Sequence, residues 1–361
     1  SRLKMDQSSF GDDRLLPVRS SFLEMTPMEG SPREVRPLGR YSTCRCRSRK
    51  LGGATVLTVA IFGLSSICVP HRWSSAFTDV KACQREPEVA LTVAFVGNSF
   101  TYYNDLPHLV QGLLAGSLTG NATSVKVGAC LHGGQSLESV WAKGARLKDE
   151  VHIGGHDMFP TVRALLSDAC GWDVVVLQDY SSGPALQHSR AEGLKVLSKY
   201  YEPLLLQNSG SGRTPLVVLY QTWGYRKPNK KNLAILEFDN MTLKLEEGYR
   251  TYADQLRSAS LEVAVAPAGQ AFKRVHDASP DLWWNLYQSD DKHPTAVGSY
   301  LNGAHIATAI VDHPRFRGLF GAGLKLQMHW PSEVKPYDDA PPPSDKDLQR
   351  VLALAGPGVV R

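Results

Sequence analysis

The chain has 361 residues, 42% of them hydrophobic, which is length enough for one large or two small domains with a sizeable core. Its net charge of +5 is confined to residues 1–50, which carry eleven basic and six acidic side chains; residues 51–361 carry 29 of each. The body of the chain therefore has no basic field to attract nucleic acid, and that class of partner is excluded.

Residues 1–50 are rich in Ser, Pro and Arg without periodicity, which predicts a disordered basic tail. The tail ends in Arg45-Cys46-Arg47-Ser48-Arg49-Lys50, and residues 51–69 follow without a single charge. As a helix that run reaches roughly 28 Å, close to the hydrocarbon thickness of a bilayer. A transmembrane signal anchor is therefore expected over 51–69. The positive-inside rule then puts the tail in the cytosol and everything after Pro70 in the lumen or outside the cell, as a single-pass type II protein. Cys44 and Cys46 suit palmitoylation beside such an anchor. Residues 70–89 read as a stalk.

From residue 91 onward, short apolar runs alternate with helical stretches. The predicted strands are 91–96, 124–131, 173–178, 215–221 and 261–267, each apolar on both faces as strands of a buried parallel sheet are. Helices are predicted over 106–118, 137–151, 191–206, 239–258 and 295–311. Alternation of this kind implies a parallel sheet with helices on both faces, and it places ligands at the carboxyl ends of the strands. Residues 313–361 are a less regular C-terminal extension, with a final helix from Ser344 to Ala355. Asn121-Ala122-Thr123 and Asn240-Met241-Thr242 are glycosylation sequons, making Asn121 and Asn240 candidate acceptors. Cys83, Cys130 and Cys170 allow at most one disulfide among them and lack metal-ligand spacing, so no metal and no cofactor are expected.

Three residue types at the strand ends carry chemistry. Ser99 follows the first strand and precedes a helix, where a hydroxyl sits near free backbone N–H groups. Asp290 and His293 lie three apart in a loop before a helix, so one turn lets the carboxylate reach the imidazole and fix its tautomer. Asp291 is the competing partner, and Asp312-His313 is a decoy because adjacent side chains diverge. Gly134, after the second strand, could offer a backbone N–H to an oxyanion, and Gln178, ending the third, could offer a side-chain amide. Tyr102 and Trp223 border the same edge and suit contact with a sugar ring or acyl chain. A nucleophile, a base and an orienting carboxylate are the minimal equipment for acyl transfer.

These blocks resemble the SGNH/GDSL hydrolase superfamily, in particular a branch that opens with Gly97-Asn98-Ser99-Phe100-Thr101. The later blocks are Gly134-Gln135-Ser136-Leu137, Leu177-Gln178 with Ser181, and Asp290 to His293-Pro294. The resemblance spans residues 90–312 and implies a three-layer α/β/α flavodoxin-like sandwich with a parallel sheet of about five strands. It also implies Ser99 as nucleophile, His293 as base, Asp290 as its partner, and an oxyanion hole from Ser99 and Gly134. The chain departs from the superfamily in having Asn98 where Asp is usual and Gln178 where an Asn donor is usual. The expected function is a serine esterase acting on an acetylated glycan or lipid. An O-acyltransferase of the secretory pathway and a catalytically silent binding domain are the alternatives.

Overall fold

The computed structural model describes residues 85–120, 123–147, 157–207, 214–228, 232–321, 329–337 and 340–355. Six strands form one sheet: β1 Val89–Gly97, β2 Ser124–Leu131, β3 Asp157–Met158, β4 Val174–Leu177, β5 Leu216–Tyr220 and β6 Val263–Ala266. Every pairing is parallel, in the order β3-β2-β1-β4-β5-β6. Five of the six were predicted; β3 is a two-residue edge strand, too short to leave an apolar run in the sequence. Without β3 the order is that of flavodoxin-like sheets, in which the chain reverses direction of travel beside the first strand. The fold is thus a three-layer α/β/α sandwich.

The helices are α1 Ser99–Tyr102, α2 Leu106–Ala115, α3 Leu137–Lys143, α4 Val162–Leu166, α5 Gln187–Val196 and α6 Glu202–Gln207. They continue with α7 Phe238–Ser258, α8 Ala268–Ala278, α9 Pro280–Trp284, α10 Ala296–Val311, α11 Arg317–Phe320 and α12 Asp345–Ala355. On one face α2 packs on α10 and β2; on the other, α3, α4, α5 and α7 form a contiguous row. Parallel strands must be joined by crossovers, and right-handed crossovers on either side of β1 put helices on both faces. The core strands are buried on both sides: β4 and β5 are fully enclosed, as is β1 from Leu91 onward.

Two predicted helices depart most from their expected bounds. α3 stops at Lys143, eight residues short of expectation, because Gly144 takes φ +73°, a left-handed turn that closes the helix. The chain then runs extended, with the Arg146 N–H donating to the Leu131 carbonyl at 2.9 Å. α5 joins α6 through one π turn, Leu197–Tyr201, so the predicted 191–206 helix begins earlier, at Gln187.

The expected membrane anchor and type II placement are corrected here. Among the described residues no helix is long and apolar enough to cross a membrane. α7 has the length, with 21 residues, but carries charges such as Asp239, Lys244 and Arg250 along it; α10 is apolar but only 16 residues long. Residues 51–69, the tail before them, Cys44, Cys46 and the sequon residue Asn121 lie outside the described residues. No membrane attachment and no compartment is carried forward. Of the expected stalk, Arg85 is tied to the domain, donating to Asp173 at 2.7 Å. Cys170 is disulfide-bonded, whereas Cys130 is free and buried, its thiol pushed up to about 12 by that burial.

The C-terminal extension contributes to the same core. Trp330, Val334, Leu348, Val351 and Leu352 are buried, and α12 packs against α8 and α10. Truncating Leu352 to Ala is expected to lower unfolding stability by about 2–4 kcal/mol. Denaturant unfolding checks this; an unchanged midpoint and slope would mean that α12 is not part of the core.

Candidate active site

The carboxyl ends of β1, β2 and β4 meet where the strand order reverses, and the candidate residues gather there. β1 ends at Gly97, and a Cβ at that position would lie 2.4 Å from Thr101 Oγ1 and 2.8 Å from Gln178 Oε1, so only glycine fits. Asn98 caps α1 by accepting the Phe100 N–H at 3.0 Å. Ser99 follows as the first residue of α1, 8% exposed, with its N–H in the turn for which a helix supplies no internal acceptor.

Ser99 Oγ lies 2.7 Å from His293 Nε2, across 194 residues of sequence. On the far side of the ring, Nδ1 is hydrogen-bonded to Asp290 Oδ2. Asp290 Oδ1 also accepts the backbone N–H groups of Lys292 and His293, both at 3.0 Å. Burial raises the affinity of the Asp290 carboxyl for its proton, yet the bonds from the His293 ring, the His293 N–H and the Lys292 N–H outweigh it. The carboxyl is held well below the usual carboxylate range. Asp290 is therefore the acidic partner of His293. Asp291 turns away at φ +64° and pairs with Arg226 and with Lys227, the latter at 2.8 Å.

Arg226 and Trp223 fix this loop from below. The Arg226 guanidinium donates to the carbonyls of Trp284 at 2.8 Å and Gln288 at 3.1 Å and lies over the Trp284 ring. Trp223 was expected to touch substrate. Instead it is fully buried, stacked on Phe272 at 4.4 Å, and its indole N–H donates to the Lys292 carbonyl at 3.1 Å. Its aromatic surface serves the core, and its polar atom serves the loop.

Gln178 is likewise placed differently from the expectation. It is 1% exposed; its Oε1 accepts the Asn98 N–H at 3.0 Å and the Thr101 hydroxyl at 2.8 Å. Its Nε2 donates to the Asp179 carbonyl. Buried and outside the cleft lining, it pins the Ser99 turn and does not face the cleft. The Asn98 amide has its own use: Nδ2 donates to the carbonyls of Gln135 at 2.8 Å and Asp179 at 3.3 Å. An aspartate carboxylate could make neither bond.

Gly134 borders the same cleft at φ +68°, a left-handed conformation that glycine adopts without strain. On either side of it, the Gly133 N–H donates to Arg146 and the Gln135 N–H to His132; the Gly134 N–H has no protein acceptor among the described residues. The cleft has a volume of about 840 Å³ and is lined by Ser99, Tyr102, Tyr103, His132, Arg146 and His293, among others. Tyr102 is at its wall, 8% exposed. Asp179, fully buried, has its carboxyl raised by that burial, against the pull of N–H groups from Leu137 and Tyr180 and of the Tyr252 hydroxyl. These bonds lock the loops after β2 and β4 together. His313 sits at the other end of α10, beside Pro314 and Arg315 in a separate pocket. The sequon residue Asn240 is exposed on α7, its Nδ2 donating to the Ala234 carbonyl at 3.0 Å.

The residues missed from sequence are the supporting ones: Thr101, Asn104, Asp179, Arg226 and Tyr337. The Asn104-Asp105 pair carried a signal, since these residues tolerate left-handed backbone; φ is 53° at Asn104 and 51° at Asp105. The others gave no local sign.

No family model matches the chain, and no curated protein matches it. Solved structures do resemble it. A DUF4886 family protein from Bacteroides uniformis aligns with a TM-score of 0.49 at 16% identity, covering 73% of this chain and 93% of that one. The lipase Lip_vut3 from a goat rumen metagenome aligns at 0.40 and 12% identity, covering 61% and 97%. A carbohydrate acetylesterase family member from Sinorhizobium meliloti aligns at 0.36 and 14% identity, covering 62% and 98%.

Asn98→Asp is expected to turn two good hydrogen bonds into carboxylate–carbonyl repulsion. The stability lost is about 1–3 kcal/mol, with a matching fall in any Ser99-dependent activity, read by thermal unfolding and an aryl-ester assay. Wild-type behaviour in both would show that the Asn98 amide is not needed as a donor.

Proposed function

We propose that this chain is a serine esterase that cleaves a carboxylic ester through an acyl-Ser99 intermediate, with an acetylated glycan or lipid as the substrate class. The observation that carries the reading is the continuous relay from Ser99 Oγ through His293 to Asp290, opening on a cleft that Gly134 also lines. Ser99 and His293, 194 residues apart in sequence, meet at hydrogen-bond distance only because the fold brings them together.

The chemistry follows from that geometry. His293 Nε2 takes the Ser99 hydroxyl proton as Oγ attacks the ester carbonyl carbon, and the carbonyl π electrons move to oxygen. Asp290 keeps the Nδ1 proton in place and stabilises the imidazolium. The Ser99 and Gly134 N–H groups donate to the developing oxyanion, where each such donor contributes about 100- to 1,000-fold in rate. Collapse of the tetrahedral species expels the alcohol, which takes its proton from His293. Water then attacks the acyl-serine with His293 again as base, releasing the acid and restoring Ser99. Because Asp290 titrates below its ordinary value, its carboxylate persists above about pH 4, so no loss of turnover above that pH traces to it.

Labelling with a fluorophosphonate probe tests the nucleophile: the wild-type chain should label and Ser99→Ala should not. Folded wild-type protein that fails to label would sink the reading. His293→Ala should lower turnover of a short-chain aryl ester by at least about a thousandfold, whereas His313→Ala should leave it near wild type. Equal losses would assign the base to the wrong histidine.

A further inference from the structure

The His293 imidazole is held from a direction the triad does not account for. Tyr103 lies flat on it, with ring centroids 4.1 Å apart and planes 7° from parallel. Tyr337, from the C-terminal segment, lies flat on the other face of Tyr103 at 4.0 Å and 20°. Both tyrosines are half-buried. Burial and the neighbouring Tyr337 phenol push the Tyr103 hydroxyl well above its ordinary range, so it stays a neutral ring against the imidazole.

Directly beside this stack is Asn104, fully buried in a left-handed conformation. Its Nδ2 donates to the Pro294 carbonyl at 3.0 Å and to Ser299 Oγ at 2.8 Å, and its Oδ1 accepts the Tyr337 N–H at 2.8 Å. One amide thus joins the nucleophile loop, the residue after the base, the first turns of α10 and the C-terminal segment. Those partners lie 190, 195 and 233 residues away in sequence. The C-terminal segment is itself seated on α10, where Trp330 packs near Tyr300 and its indole N–H donates to the Val334 carbonyl at 2.6 Å.

We infer that Tyr103, backed by Tyr337 and clamped through Asn104, is the positioning device for His293, so that residues 329–337 are part of the active site. The physical reason is a missing restraint. The bond to Asp290 fixes one edge of the imidazole, and Phe100 meets the ring only at a tilt, 50° between planes and 5.2 Å between centroids, so neither holds the ring plane flat. A flat ring packed at van der Waals distance removes the tilt and keeps Nε2 aimed at Ser99 Oγ. Offset and parallel aromatic contacts are favourable without donating or accepting a proton, so they restrain the ring without competing for Nε2. A rotation that moves a reacting atom by about 1 Å costs about a hundredfold in rate. The inference rests on the reading of His293 as the base.

The test compares Tyr103→Leu, Tyr103→Phe, Tyr337→Leu and Asn104→Gly with the wild type. Tyr103→Leu and Tyr337→Leu should lower kcat about ten- to a hundredfold; Tyr337 is not among the residues lining the cleft, so Tyr337→Leu should keep KM within about twofold. Tyr103→Phe keeps the flat ring and should restore most of the loss. Asn104→Gly keeps the left-handed backbone but removes the amide, and should fall with the leucine variants. A second readout does not need turnover: the downfield proton resonance of the His293 Nδ1–H in the Asp290 hydrogen bond, assigned by its absence in His293→Gln. It should be sharp in the wild type and Tyr103→Phe, and broadened by solvent exchange in Tyr103→Leu and Tyr337→Leu. Should the wild type show no Ser99-dependent hydrolysis, the esterase reading fails while the resonance still decides the positioning claim. A sharp resonance in both leucine variants, or wild-type kcat in Tyr103→Leu, would overturn the inference.

Discussion

A single hydrogen bond, 2.7 Å between Ser99 Oγ and His293 Nε2, joins two loops 194 residues apart, and much of the fold works to keep it. It requires that the turn after β1 and the loop before α10 be fixed to within tenths of an ångström, since Ser99 opens the single-turn helix α1 and His293 sits on a loop, neither inside a long element. Each loop is restrained from the side away from the cleft. The Ser99 turn is gripped by Gln178, which accepts from Asn98 and Thr101, and by the Asn98 amide, which reaches two neighbouring loops. The His293 loop is gripped by Arg226, by the Trp223 indole N–H and by the Asn104 amide. These are buried or half-buried polar groups with their partners met, which is the condition under which buried polar groups add rigidity and do not subtract stability.

The sheet supplies the geometry that these contacts refine. Parallel strands end on a common edge, and the reversal of strand order between β1 and β4 opens a crevice there. Ser99, Gly134 and Gln178 arrive at that edge because they follow β1, β2 and β4 in turn. His293 arrives from β6 by way of α8 and α9. The chain continues past α10 to bring Tyr337 back against Tyr103, so the last described segments of the chain complete the wall that the first strand began.

Much of this was legible in the sequence, and the parts that were not share a cause. Five strands showed as apolar runs because a sheet covered on both faces needs apolar residues at every position. Ser99, His293 and Asp290 showed because a local spacing of three and a strand-end position are both properties of short segments. Gln178 was recognised at the right place but with the wrong orientation: sequence places a side chain at an edge and does not say which way it turns. Trp223 was drawn to the substrate by the same limit, when the apolar demand of the core next to Phe272 outweighs a place at the rim. Asn104, Arg226 and Tyr337 act across large sequence separations through single contacts, and no periodicity encodes those. α3 ended early for a reason that can be read only with hindsight, a glycine whose φ turns positive.

The central claim is that the ester bond is broken by covalent attack of Ser99. Rapid acid quench of the chain reacting with an aryl acetate, followed by peptide mapping of the intact adduct, tests it most directly. An acetyl group carried on the peptide containing Ser99, formed in a burst before steady turnover and absent in His293→Ala, is the result the account predicts. Turnover without any acyl adduct, or an adduct on another residue, would contradict it.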